Sequence, residues 1–314
     1  MNTPQPVRIF PDHLPYLTYC EFQAEGFTHP ACGVIYHKKA RPEQGVPLGS
    51  LDTGRIGLEA DGTFGFSTIF NSICPEGGPL RVPFLGMTVG EQTWWLSDSA
   101  SSFGGFMFAG VQNPVDIQYW GHYPVVDLEY VLPGCPLSAG LRAWTPFILG
   151  DAAVSNTPGA VFEVHLRNLS QQPQQGRLAF SFPGPTQAEA QIDPHSPRQF
   201  LPQWSHPRIW PAWIPVAPEK TRTERQVVRG EFSGLVVTSE KVKSIGYAIG
   251  VIGDHEVATG GPLSSVERPA DAGPWGKIGS QLPPAAEDEF GGSVSVAYTL
   301  EPGEAQVIRF VAAW

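Results

Sequence analysis

The sequence holds no run of about 18 apolar residues of the kind a membrane-spanning helix needs, and its first residues, "MNTPQPVRIFPDHLPYL", lack the charged-then-apolar pattern of a secretory signal. A soluble, cytoplasmic chain is the expectation. No cluster of Lys and Arg could neutralise a row of phosphates, and the formal charge of −10 excludes nucleic acid and anionic membrane surfaces as natural partners. The nucleotide-binding strings GxxxxGK[ST] and GxGxxG are absent, as are HxH, HExxH, CxxC and GxSxG. A metal site would therefore have to be assembled entirely by folding, and no cofactor is expected. Only four cysteines occur, Cys20, Cys32, Cys74 and Cys135, and their scatter specifies neither zinc nor a disulfide scaffold, so reduced, mostly buried thiols are expected. Helical three-four periodicity with caps is also scarce. Crossover helices are then too few for a parallel sheet.

What the chain has in quantity is glycine and proline, 35 and 32 among 314 residues, without a Gly-X-Y period. Such punctuation suits short strands joined by tight turns. Period-two alternation supplies the strands. In "VFEVHLRN", Phe162, Val164 and Leu166 point one way and Glu163, His165 and Arg167 the other; in "SVSVAYTL", Val294, Val296, Tyr298 and Leu300 alternate with small polar residues. "EPGE", 301–304, then supplies a turn before "AQVIRFVAAW", so the chain is expected to close on a hairpin. The fold class that follows is all-β: a large two-sheet antiparallel β-sandwich with long loops and little helix. It is read as one domain over 1–314, with 1–44 an N-terminal extension packed on it. Residues 183–219 form an excursion interrupted by nine prolines and carrying Trp204, Trp210 and Trp213. Asn168-Leu169-Ser170 is formally a glycosylation sequon, expected to stay unused without a signal peptide.

The stretch "GVPLGSLDTGRIGLEADGTFGF", 45–66, places Asp61-Gly62 where a hairpin turn needs positive φ, and Gly54, Gly57 and Gly65 where neighbouring backbone must come close. It resembles the GIPLGGIGTGxIG opening of the N-terminal domain of glycoside hydrolase family 116, which includes β-glucosidases and the non-lysosomal, bile-acid-type glucosylceramidases. The likeness continues in "GHYPVVDLEY" (121–130), "LRAWTPFILGDAAVSNTPGAVFEVHLRN" (141–168) and "LEPGEAQVIRFVAAW" (300–314). One departure is plain: "GSLDTG" sets Ser50 and Asp52 where the family has glycine, and a differently shaped turn is expected.

The resemblance implies an N-terminal β-sandwich that precedes an (α/α)6 barrel carrying the nucleophile and acid/base carboxylates of a retaining glycosidase. Trp314 falls about where the sandwich would hand over to that barrel. The catalytic positions are then expected outside this chain, which would be inactive alone. Its partner would be the helical domain, in cis or in trans, with glucosides as further ligands and self-association through an exposed aromatic surface.

Within the chain, Asp127 and Glu129 in "VVDLEY" share one strand face and form the local carboxylate pair that a glycosidase would require. A solvated or salt-bridged strand face is the competing reading. Glu287–Glu289 reads as an exposed loop. Exposed aromatics can stack on sugar rings, so Trp94, Trp95, Trp120, Trp204, Trp210, Trp213 and the neighbouring His122 are candidates for carbohydrate or domain contact. Trp94-Trp95 on a strand must send its rings to opposite faces, one of them outward. A stand-alone carbohydrate-binding sandwich built on these tryptophans is the alternative function.

Overall fold

The computed structural model describes residues 8–11, 13–70, 79–98, 110–187, 189–191, 220–265 and 273–314, and the backbone alone at 200–203 and 212–215. Two large sheets face each other. The eight-stranded sheet runs, in spatial order, Asp116–His122, Val125–Val131, Leu137–Trp144, Gly159–Asn168, Ala305–Ala313, Gly246–Ile252, Phe232–Ser239 and Thr223–Val228. The six-stranded sheet runs Val257–Gly260, Gly292–Leu300, Gln174–Phe182, Leu85–Val89, Gln92–Trp95 and Val111–Gln112. Every ladder in both is antiparallel except the last, where Gln92–Trp95 and Val111–Gln112 pair in parallel.

Alternation fixes which faces meet. Phe162, Val164 and Leu166 are fully buried and face Leu178, Phe180, Val294 and Val296 of the opposite sheet in one core. Phe180 stacks on Phe310 at 5.4 Å and leans on Phe162 at 5.0 Å. Burying each such side chain contributes about 1.5–3 kcal/mol. A third, four-stranded sheet of Val46–Leu48, Ile56–Leu58, Thr63–Ser67 and Val82–Pro83 carries the glycine-rich stretch. It drives Phe64 into the same core, where the ring stacks on Phe84 at 4.2 Å and meets Phe162 of one large sheet and Phe180 and Phe182 of the other.

The closing hairpin expected at 293–313 is not one. Gly292–Leu300 belongs to the six-stranded sheet and Ala305–Ala313 to the eight-stranded sheet, so "EPGE" arches from one layer to the other. Both strands bury alternate residues, and they bury them from opposite sides of one core. Gly159–Asn168 and Gln174–Phe182 make a second arch beside it. Asn168, fully buried, ties the two together: its Nδ2 donates to Leu300 O (3.0 Å) and Gln172 O (2.7 Å), while Oδ1 accepts from Ser170 N (2.9 Å) and Ser170 Oγ (2.7 Å). The sequon asparagine is a structural strut.

Of the cysteines, Cys20 and Cys135 are half-buried and Cys32 is exposed, all three as free thiols; Cys74 lies outside the described residues. The expectation of mostly buried thiols therefore fails for these three. Cys20 and Cys32 lie on a small ribbon, Cys20–Phe22 with Ala31–Gly33, whose two strands pair only with each other. Among the described residues, no helix is long and apolar enough to cross a membrane.

Candidate functional site

The outer face of the eight-stranded sheet, turned away from the core, is where the predicted carboxylates sit. Register places Trp120, Asp127, Arg142, Glu163 and Arg309 in one row across five strands. Gln118, Glu129, Gly140 and His165 form the next row. The sequence expectation that Asp127 and Glu129 share a face thus describes the backbone correctly, and both are buried, at 0% and 2% exposure. Asp127 is gripped by both arms of Arg142, Nε to Oδ1 at 2.8 Å and Nη2 to Oδ2 at 2.9 Å. Glu129 accepts the backbone N–H of Ile9 and lies over Gly140, where a Cβ would come within 3.3 Å of Oε2. Burial pushes Glu129 up to about 8, against the opposing pull of the Ile9 N–H and the Arg8 charge.

The seal over this face comes from residues far away in the sequence. Ile9, Phe10, Phe22, Ala24 and Ile35 pack with Trp120 into a separate small core. Phe22 meets the Trp120 ring at 4.7 Å, and Phe27 lies 5.2 Å from the Arg142 guanidinium. His122 stacks on Trp120 at 3.5 Å with its Nε2 3.5 Å from Asp127 Oδ2. Paired carboxylates of this kind can do acid/base work only where a substrate reaches them, and these are roofed by apolar side chains.

Three tryptophan candidates are interior. Trp94 is 3% exposed in the main core. Trp95 does point to the opposite face, as a strand requires, but that face is covered too: Trp275 meets it edge-on at 6.2 Å, with Leu263 and Ile278 alongside. Trp120 is 1% exposed. Trp213 lies on the Ala212–Pro215 strand, which pairs with Phe200–Gln203; Trp204 and Trp210 fall outside the described residues. Glu287–Glu289 is a loop beside the Thr223–Val228 edge, where Lys220 sits 2.5 Å from Asp288 and holds its carboxyl below the usual range.

The glycine-rich stretch turns out to be built around a carboxylate that the sequence did not single out. Glu59, in the turn between Ile56–Leu58 and Thr63–Ser67, accepts the Gly45 N–H at 2.7 Å. Its side chain lies across Gly57 and Gly65, and a Cβ on Gly65 would sit 1.7 Å from Oε1. A side chain there would push the Glu59 carboxylate off the backbone it covers. Burial raises the Glu59 carboxyl. Arg41, Glu43, Glu59, Asp61, Thr63 and Arg81 border a cleft of about 190 Å³ at this turn.

At the other end of the same stretch, Ser50 and Asp52 each have a local account. Ser50 spends its hydroxyl on Thr157 O and Thr53 Oγ1. Asp52 keeps a left-handed backbone, φ +61, where the family pattern has glycine. That conformation disfavours any side chain, and glycine's greater freedom in the unfolded chain cancels part of the gain from removing one. Asp52→Gly is therefore expected to raise the unfolding free energy by up to about 1 kcal/mol, measured by urea titration; a loss of stability would show that the carboxylate compensates its own strain.

This end of the molecule gathers exposed apolar side chains. Leu51 (47% exposed) donates its N–H to Ser155 O; Ser155 Oγ bonds both Ile148 N and Ile148 O; Phe147 meets Tyr123 at 5.8 Å. Ile148 is 53% and Leu149 87% exposed. Trp314, the residue after the last strand, donates from Nε1 to Thr53 O at 2.7 Å.

Residues 45–314 match the family model described as beta-glucosidase 2, glycosyl-hydrolase family 116 N-term. The chain belongs to that N-terminal domain family. In this family 116 N-terminal domain the segment that roofs Asp127 and Glu129 precedes the matched region. No curated protein matches the chain. Solved structures resemble it as well, and two of them give the measure of the likeness. One is a protein assigned as a kojibiose phosphorylase from the human microbiome, at 8% identity over 89% of this chain and 25% of that one, with a TM-score of 0.32. The other is a galactose mutarotase related enzyme from Lactobacillus acidophilus, at 10% identity over 85% and 97%, with a TM-score of 0.36. The chain spans a quarter of the phosphorylase's length, and likenesses of this order carry no argument about function.

Proposed function

We propose that this domain is the accessory β-sandwich of a β-glucosidase-like or glucosylceramidase-like glycoside hydrolase, and that it buttresses a helical catalytic domain. The observation that carries the reading is the apolar end formed by Leu51, Tyr123, Phe147, Ile148 and Leu149, joined to a domain whose family is the N-terminal part of a glycosyl hydrolase. Side chains as exposed as Leu149 and Ile148, in a turn tied by Ser155, are the composition of a surface that another domain covers. Retaining hydrolysis would then belong to the helical domain. The burial of Trp94, Trp95 and Trp120 withdraws support from a glycan platform made of those rings.

The test is to express this chain with and without the helical domain from its own source. The expected result is no turnover of an aryl glucoside by this chain alone, and co-purification with the helical domain that Ile148→Glu and Leu149→Glu abolish without unfolding the sandwich. Turnover by the isolated chain, lost in Glu129→Gln, would overturn the reading and return the chemistry to the buried pair.

A further inference from the structure

Residues 8–37 touch the domain in an unusual way. The segment lies on the outer face of one sheet, precedes the region matched by the family, and forms its own apolar cluster with a single large side chain of that sheet, Trp120. Its polar attachments are few and specific. Ile9 N–H donates to Glu129, Arg8 Nη1 to Gln118 Oε1 at 3.1 Å, Gln118 Nε2 to Tyr16 OH at 2.6 Å, and Arg142 to Glu25 O. Tyr36 and Tyr119 exchange backbone bonds at 2.9 Å. Beneath it Trp120 Nε1, His122 Nε2 and His165 Nε2 are buried without a hydrogen bond. A cover that leaves three polar atoms unpaired is held less tightly than a core.

We infer that residues 8–37 are a detachable strap whose hold on the sheet is set by the protonation of Glu129, tightest in acid and loosened progressively as the pH rises towards 8. Among the described residues, the charged and titratable groups facing Glu129 are Arg8 and Glu25 from the strap, Asp127 from its own strand, Arg142 from the next and His165 from the one beyond; the strand on its other side presents Gln118, which carries no charge. Arg142 is committed to Asp127, so Arg8 is left as the cation that favours a charged Glu129, and burial outweighs it.

The sign follows from linkage. Glu129 titrates near 8 when covered and near its ordinary 4.5 when uncovered, so the closed state holds an extra proton between those values. Stability from this group is complete below pH 4.5 and is lost as the pH rises through 8. His165 acts oppositely: burial lowers it from 6.5, so its contribution fades as the pH falls below that value. Above pH 6.5 the His165 contribution no longer changes.

The experiment is hydrogen exchange on the whole chain, read as protection factors, between pH 6.5 and 8. The amides of Ile9 and Glu25 are expected to lose protection about tenfold per pH unit, while those of Phe180 and Val294 in the opposite sheet stay level. Glu129→Gln, whose amide carbonyl can still accept the Ile9 N–H, is expected to remove the slope. Gly33→Ala is the second variant, because a Cβ there would lie 2.3 Å from Trp120 Nε1; it should lower strap protection equally at every pH and leave the slope intact. A flat profile in the unaltered protein overturns the inference, as does an undiminished slope in Glu129→Gln. Loss of protection in both sheets on Gly33→Ala overturns it too, since the segment would then be part of the common core.

Discussion

Replacing Arg142 by alanine is expected to lower the unfolding free energy by about 3–5 kcal/mol, the cost of leaving a buried charge without its partner. Asp127 has no exposed surface, and both of its oxygens are occupied by Arg142 at 2.8 and 2.9 Å. With the guanidinium gone, the His122 ring nitrogen Nε2, 3.5 Å away, is the neighbour left to Asp127 among the described residues, and that nitrogen makes no hydrogen bond even now. The strap loses an anchor as well, because Arg142 also donates to Glu25 O and lies over Phe27. Arg142→Lys should recover only part of the loss, since a point charge cannot make the two-armed contact. Removing the charges together, as Asp127→Leu with Arg142→Met, should cost much less than Arg142→Ala alone. Urea denaturation of the three variants decides the matter. A cost below about 1 kcal/mol for Arg142→Ala would mean that water reaches Asp127, and a water-accessible carboxylate beside Glu129 would revive the pair as a chemical site.

Much of this architecture was legible in the sequence, and the illegible parts share a cause. Alternation at 162, 164 and 166 and at 294, 296, 298 and 300 identified core-facing residues because the period of a strand is local. Whether the strand ending at Leu300 and the one starting at Ala305 pair or arch apart is not local: both layouts bury the same residues, and only the partners, 174–182 for one and 159–168 for the other, differ. The carboxylates at 127 and 129 could be placed on one face, but their exposure depends on Ile9, more than a hundred residues earlier. Trp95 failed for the same reason: a strand pattern shows that the ring leaves the core, and it cannot show that Trp275 waits on the other side. Glu59 left a trace that could have been followed, since glycines spaced around one acidic residue mark a side chain laid over bare backbone.

Asn168→Ala is expected to cost about 2–4 kcal/mol, because it strands the buried Leu300 O and removes the partner of the Ser170 N–H. The residue's own backbone is equally committed, its N–H to Glu304 O and its carbonyl to Gly303 N–H. Two arches are therefore held at one point, and loosening it releases both sheet-to-sheet crossings together. Asn168→Asp should be at least as costly, since it turns a donor that faces two carbonyls into a third acceptor and adds a buried charge. Thermal or urea unfolding measures both; a cost under about 0.5 kcal/mol for alanine would show that water takes over the site. The same geometry decides the sequon. A glycan on Asn168 would have to replace an Nδ2 hydrogen that donates to Leu300 O or Gln172 O inside the protein, so modification and the native arches exclude each other. Expressed through a secretory host, the folded fraction is expected to carry no glycan at Asn168, and any glycosylated chains are expected in the misfolded fraction. Mass spectrometry of the two fractions separates this from simple lack of access to the modifying enzyme, which would leave both unmodified.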